Sequence, residues 1–230
     1  MVAAGLFAVG VRGAAAQTGF NGTLTYQIQS ENGKTVTLVT KTQGNKTRME
    51  MADPANPARS GAFVIDNDAH TRTVILDSQK KYMVIPENMA NMMNGGAATP
   101  NTSDWKFTKT GKTETVAGVS CEVVHASGTT NGHAEEADAC VAKGVGFNPG
   151  TFASMSRPGA ATDPGIVAMR DAIGPGNGIV KVVTTKDGKP SMTMVVTNID
   201  RTAPSADAFT PPAGYTTMQM GGMPGAGTKP

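Results

Sequence analysis

The sequence predicts a mainly β protein: a single highly curved antiparallel sheet, or half-barrel, with two short helical insertions. Three observations predict it. Ala62–Asp66, Thr73–Asp77 and Tyr82–Pro86 are strand-forming runs in close succession, joined by connections short enough only for antiparallel neighbours. Alternation of apolar and polar residues recurs before and after that triplet. Gly at 28 and Pro at 14 supply turns for many short strands, while helical spacing surfaces in only two places.

The elements follow in order. Phe20–Gln29 alternates, with Phe20, Leu24, Tyr26 and Ile28 on one side. Asn32-Gly33 is a hairpin signal, Val36, Leu38 and Thr40 form the return strand, and Thr47–Met51 follows the turn at Gly44-Asn45. After the break at Pro54–Pro57 comes the triplet. Glu87–Asn94 then reads as a short helix whose face carries Met89, Met92 and Met93. Trp105–Thr115 resumes the sheet with Trp105 and Phe107 inward. Lys109 shares their parity, so the strand leaves the core or bulges before it. Val119–Ser127 and Ala134–Lys143 flank the turn Gly128–His133. A second helix is marked by Asp163-Pro164 as cap and first residue, by Ile166, Val167, Met169 and Ile173, and by a stop at Gly174. Ile179–Thr185 and Ser191–Ile199, joined at Asp187-Gly188, complete about ten strands.

At 39% hydrophobic and a net charge of +2, the chain has apolar residues enough to fold and lacks the basic excess of a nucleic-acid binder. Val2–Val11 is an apolar stretch of signal-peptide length, and Ala14-Ala15-Ala16 before Gln17 is a cleavage pattern. The expectation is a signal peptide over 1–16, a β domain over 17–216 in the periplasm or outside the cell, and a disordered Met- and Gly-rich tail over 217–230. No segment is long enough to be a transmembrane helix. In an oxidising compartment Cys121 and Cys140, the only cysteines, form a disulfide. Folding their hairpin symmetrically about Thr130 and Asn131 puts Cys121 directly opposite Cys140 and His125 opposite Glu136.

Several pieces in fixed order resemble a known family. They are Phe20-x-Gly22-x-Leu24-x-Tyr26, Gly44-x-x-x-Arg48-x-Glu50, the triplet ending Lys81–Ile85, Thr110-Gly111-Lys112-Thr113-x-x-Val116-Ala117-Gly118-x-x-Cys121, Cys140–Lys143, and Asp207-x-Phe209-x-x-Pro212-x-Gly214-Tyr215. Together they resemble the bacterial secreted family catalogued as domain of unknown function 4412, and through it the lipoprotein-carrier (LolA/LolB-like) fold. That resemblance implies a sheet wrapped around a helix, with an apolar hollow for acyl chains. It supplies no catalytic residues.

The functional expectation is a non-enzymatic binding protein for a lipid or other apolar ligand. Phe20, Leu24, Phe63, Ile65, Ile75, Tyr82 and Trp105 line the hollow, with Met89, Met92 and Met93 as an adaptable cover. Arg48 is the polar candidate, able to hold a phosphate or pin a lid, against a plainer reading as half of an exposed pair with Glu50. An envelope protein partner is the first alternative. Copper held by the Met clusters, including Met218, Met220 and Met223, is the second. No cofactor is expected. His125, His133, Glu135, Glu136 and Asp138 lack a zinc-site spacing, so no metal site is assigned there, and no nucleophile motif indicates an enzyme.

Overall fold

The computed structural model describes residues 20–52, 60–86, 89, 105–130, 132–145 and 164–218. They build one 12-stranded sheet from two antiparallel meanders. The first comprises β1 (Gly22–Ser30), β2 (Thr35–Gln43), β3 (Lys46–Ala52), β4 (Gly61–Asp66), β5 (Thr71–Leu76) and β6 (Lys81–Pro86). The second comprises β7 (Lys106–Val116), β8 (Val119–Thr130), β9 (His133–Lys143), β10 (Asn177–Lys186) and β11 (Lys189–Asp200). Pairing of β1 with β11 fuses them, and the two-residue β12 (Thr216–Thr217) adds to β6 in parallel. The order β12-β6-β5-β4-β3-β2-β1-β11-β10-β9-β8-β7 leaves two free edges, so the sheet is open and not a closed barrel.

The predicted second helix is present as α1 (Pro164–Ile173), beginning at the proline whose missing N–H costs nothing at that position. The Asn177 side chain caps its end by donating to the Ile173 carbonyl at 2.8 Å. The predicted helix over Glu87–Asn94 lies outside the described residues except for Met89, which is exposed. The proposed signal peptide lies outside them as well. Thr217 and Met218, expected in the tail, belong to the fold: Thr217 is in β12, and the Met218 N–H donates to the Tyr82 carbonyl at 2.7 Å.

The disulfide forms, with the two Cα atoms 5.3 Å apart, but the predicted register is corrected by two residues. Cys121 stands opposite Ala142, Val123 opposite Cys140 and His125 opposite Asp138, so the bridge runs diagonally across the hairpin. The last pair of the hairpin is Thr130 with His133, and Gly132 inside it has φ +82°, which glycine adopts without a Cβ penalty.

Over this bridge an ion pair spans the second meander. Lys181 on β10 and Glu114 on β7 are three strand spacings apart, about 14 Å in a flat sheet, and their long side chains reach across to meet at 2.7 Å. Their cross-strand neighbours are Cys140 and Cys121 respectively, so the ion pair arches over the buried disulfide. Lys109 is exposed and the β7–β8 register shifts just after it, in line with the expected exit from the core.

Among the described residues two apolar clusters hold the sheet. The larger joins Leu24, Tyr26, Leu38, Met49, Val180 and Val196 to both cysteines. The smaller comprises Ala62, Val64, Ile75 and Phe209.

Candidate functional site

Residues paired directly across strands share a face, so the regular register of β1–β6 assigns every side chain there. One row runs Leu24, Thr40, Met49, Phe63, Val74, Met83, and the next on the same face runs Tyr26, Leu38, Met51. The opposite face carries Lys41, Arg48, Val64 in one row and Val39, Glu50, Ala62, Ile75, Tyr82 in another.

That division splits the expected hollow. Leu24, Phe63 and Ile65 share the first face, with Leu24 and Ile65 buried. Ile75, only 1% exposed, and Tyr82 lie on the opposite face, where they meet Phe209 and Tyr215. Phe20 packs at the margin of the larger cluster beneath Arg201, whose guanidinium carbon is 5.9 Å from the ring centroid. Trp105 is half-buried and stacks on Phe107 at a centroid distance of 6.4 Å. Met92 and Met93 lie outside the described residues.

On the opposite face Arg48 is corrected from an exposed strand residue to one of 9% exposure. Its Nε donates to Glu50 Oε1 at 2.7 Å, while Nη1 donates to the carbonyls of Ala208 at 3.4 Å and Thr210 at 3.2 Å. Lys41 Nζ reaches the same Glu50 oxygen at 3.0 Å. Burial pushes the Glu50 carboxyl up, but the two cations outweigh it and hold the group below its ordinary range. Arg48 thus clamps the C-terminal segment that follows β11. Phe209 of that segment, 8% exposed, fills a socket of Ala62, Val64 and Ile75. The Tyr215 hydroxyl donates to Asp77 Oδ1 at 3.0 Å, a bond that retains the phenol proton and raises the group above its usual range.

The first face is open at one end. A row of Val36, Ile28, Met194, Val182, Ala139 and Val124 crosses from β2 to β8. Beside it run Met192, Thr184, Ala137, Ala126 and Phe107. Met51 at 45% and Met192 at 36% are among the most exposed large apolar side chains described. Gly128 lies at this end too: a Cβ there would fall 2.7 Å from the Trp105 ring, so the indole lies directly on bare backbone. Expected as the first residue of a turn, Gly128 lies within β8.

Among the described residues no group of His, Cys, Asp and Glu is placed to hold a metal ion. The hairpin histidines each bond a carboxylate: His125 Nδ1 lies 2.8 Å from Asp138, and His133 Nδ1 lies 2.8 Å from Asp187. The His133 contact joins the β8–β9 and β10–β11 tips and holds the Asp187 carboxyl below its usual range. Met220 and Met223, two partners of the copper reading, lie outside the described residues.

Residues 20–215 match the family model described as "Domain of unknown function (DUF4412)". The chain belongs to this family. No curated relative matches this DUF4412 chain. Among solved structures it is similar to the Pseudomonas aeruginosa MucA/MucB complex, at 13% identity and a TM-score of 0.44, over 85% of this chain and 56% of that one. It is also similar to MucB in complex with MucA(peri), at 13% identity and a TM-score of 0.41, over 87% and 57%. The DUF4412 chain therefore spans little more than half the length of those chains.

Proposed function

We propose that this DUF4412 member is a non-enzymatic binding protein of the periplasm or extracellular space that holds a lipid or other apolar ligand at the open end of the first face. Met51 and Met192, each exposed at the end of the face that also carries the half-buried Val36, Ile28 and Val182, carry this reading. Flexible thioethers adapt to ligands of varying shape, and exposed large apolar residues cost solubility unless something covers them. The disulfide supports the compartment, because such bonds persist where the redox poise is oxidising.

The test is native mass spectrometry of protein purified from the periplasm without detergent. The wild type is expected to carry an adduct of lipid mass. Met51→Asp and Met192→Asp are expected to lose it, with stability changed by no more than about 0.5 kcal/mol. A bare wild-type chain would refute the ligand reading. A second reading, interaction with an envelope protein, is favoured by a different observation: the way the opposite face holds the C-terminal segment.

A further inference from the structure

We infer that the ligand of the first face is an anionic amphiphile, with its acyl chain on the open end and its anionic head among the lysines that border that end. This rests on the apolar reading proposed above and names the chemistry of the ligand's other half.

The observation is a division of charge between the two faces. On the opposite face three strand lysines are neutralised: Lys41 by Glu50 at 3.0 Å, Lys46 by Asp66 at 2.8 Å and Lys181 by Glu114 at 2.7 Å. The open end of the first face differs. Register places Lys186 opposite both Lys189 and Glu135, in the row beyond Thr184 and Met192. Ser30, the cross-strand partner of Met192, faces Lys34 on its other side and donates its N–H to the Lys34 carbonyl at 3.0 Å. Lys81 ends the row that runs from Met51 through Gly61 and Leu76. These lysines are exposed, and among the described residues no carboxylate lies within ion-pair distance of them. Glu135 shares a row with Lys186, while Glu31 and Asp187 sit in the turns. The Asp187 oxygens are already engaged, by His133 Nδ1 at 2.8 Å and by the Ala134 N–H at 3.2 Å.

Like charges directly opposite each other across strands are destabilising, and an anion between Lys186 and Lys189 removes that cost. Lys34 and Lys189 stand two strand spacings apart, about 10 Å, a gap that two extended side chains can close around one phosphate or carboxylate. Lysine stems lie along apolar surface while their ammonium groups stay in water. The stems therefore extend the shelf of Met192, Val36, Ile28 and Val182, and the ammonium groups await a head. A neutral lipid would cover the shelf and leave them without a counter-charge. Electrostatic complementarity of this kind confers selectivity more than raw affinity.

The probes are dodecyl phosphate, dodecanoate and zwitterionic dodecylphosphocholine, each titrated as monomers into the full chain by isothermal calorimetry at low ionic strength. The wild type is expected to bind both anionic probes about tenfold more tightly than the phosphocholine, a ratio that a few exposed ion pairs can supply. The preference should shrink as added salt screens the lysines. Lys34→Gln, Lys186→Gln and Lys189→Gln combined are expected to remove it, with phosphocholine affinity held within about twofold. Lys46→Gln, Lys112→Gln and Lys143→Gln combined remove the same charge elsewhere and are expected to keep it. A cooperative melt checks the folding of each variant. Preference for only one of the two anions would support the inference and identify the head. Equal binding of all three probes would overturn it and leave the apolar reading standing. A preference lost equally in both triple variants would also overturn it, assigning the effect to net charge. Binding of none of the probes would remove the apolar reading and this inference with it.

Discussion

Arg48→Met deletes the guanidinium while keeping a long apolar stem under the C-terminal segment. The bond to Glu50 at 2.7 Å and those to the Thr210 and Ala208 carbonyls at 3.2 and 3.4 Å are lost. Hydrogen bonds involving a charged group contribute roughly 1.5–3 kcal/mol each. Three reductions apply here: the longest bond is weak, Thr210 is exposed and its carbonyl can turn to water, and Glu50 keeps Lys41 at 3.0 Å. Relief of the desolvation of Arg48 subtracts further. The net expectation is a loss of about 2 kcal/mol at pH 7, or roughly 4–8 °C in Tm for a chain of this size. Urea titration with an unchanged m-value measures it. The sign of the pH dependence follows from Glu50, whose folded pKa is depressed. Its contribution is present above the unfolded value of about 4.3 and disappears as pH falls through the folded one. With one cation gone the depression shrinks, so the gap between wild type and variant narrows on acidification from pH 7 to below about pH 4. A difference within about 0.5 kcal/mol at pH 7, or a gap that widens in acid, would refute the reasoning and return Arg48 to the status of a surface residue.

Replacing Cys121 and Cys140 together by Ala should cost about 3 kcal/mol in the chain-entropy account, read by urea denaturation. Because both sulfurs are buried beneath the Lys181–Glu114 pair, dithiothreitol should reduce the bridge slowly until denaturant is added. Lys181→Met should cost less than about 1 kcal/mol, since both partners are substantially exposed, and the loss should fade in high salt. Gly128→Ala places a methyl against the indole, so the emission of Trp105, the only tryptophan, should shift to the red. Overpacking at that contact should lower stability by about 1–2 kcal/mol.

Much of the architecture was legible because it is written locally. Alternation in Phe20–Gln29 announces β1, Asn32-Gly33 its hairpin, and Asp163-Pro164 the start of α1, each a signal spanning a few neighbouring residues. The disulfide partners were fixed by there being only two cysteines. The C-terminal segment was not legible as part of the site. Phe209 and Tyr215 follow the last long strand amid prolines, with no periodicity to announce a face. Their importance comes from Arg48, some 160 residues away in sequence.

The sequence by itself determined that the chain is a disulfide-bridged, mainly antiparallel sheet, because strand and turn propensities act between near neighbours. Only the tertiary structure decided which face each strand presents. Val74-Ile75-Leu76 and Tyr82-Met83-Val84-Ile85 are apolar without interruption, so alternation there carries no phase. In register Phe63 pairs with Val74, which sends Ile75 and Tyr82 to the Arg48 face and away from the hollow expected for them. A side-chain period of two makes the face of every residue hinge on the pairing register, and turns and bulges set that register one residue at a time.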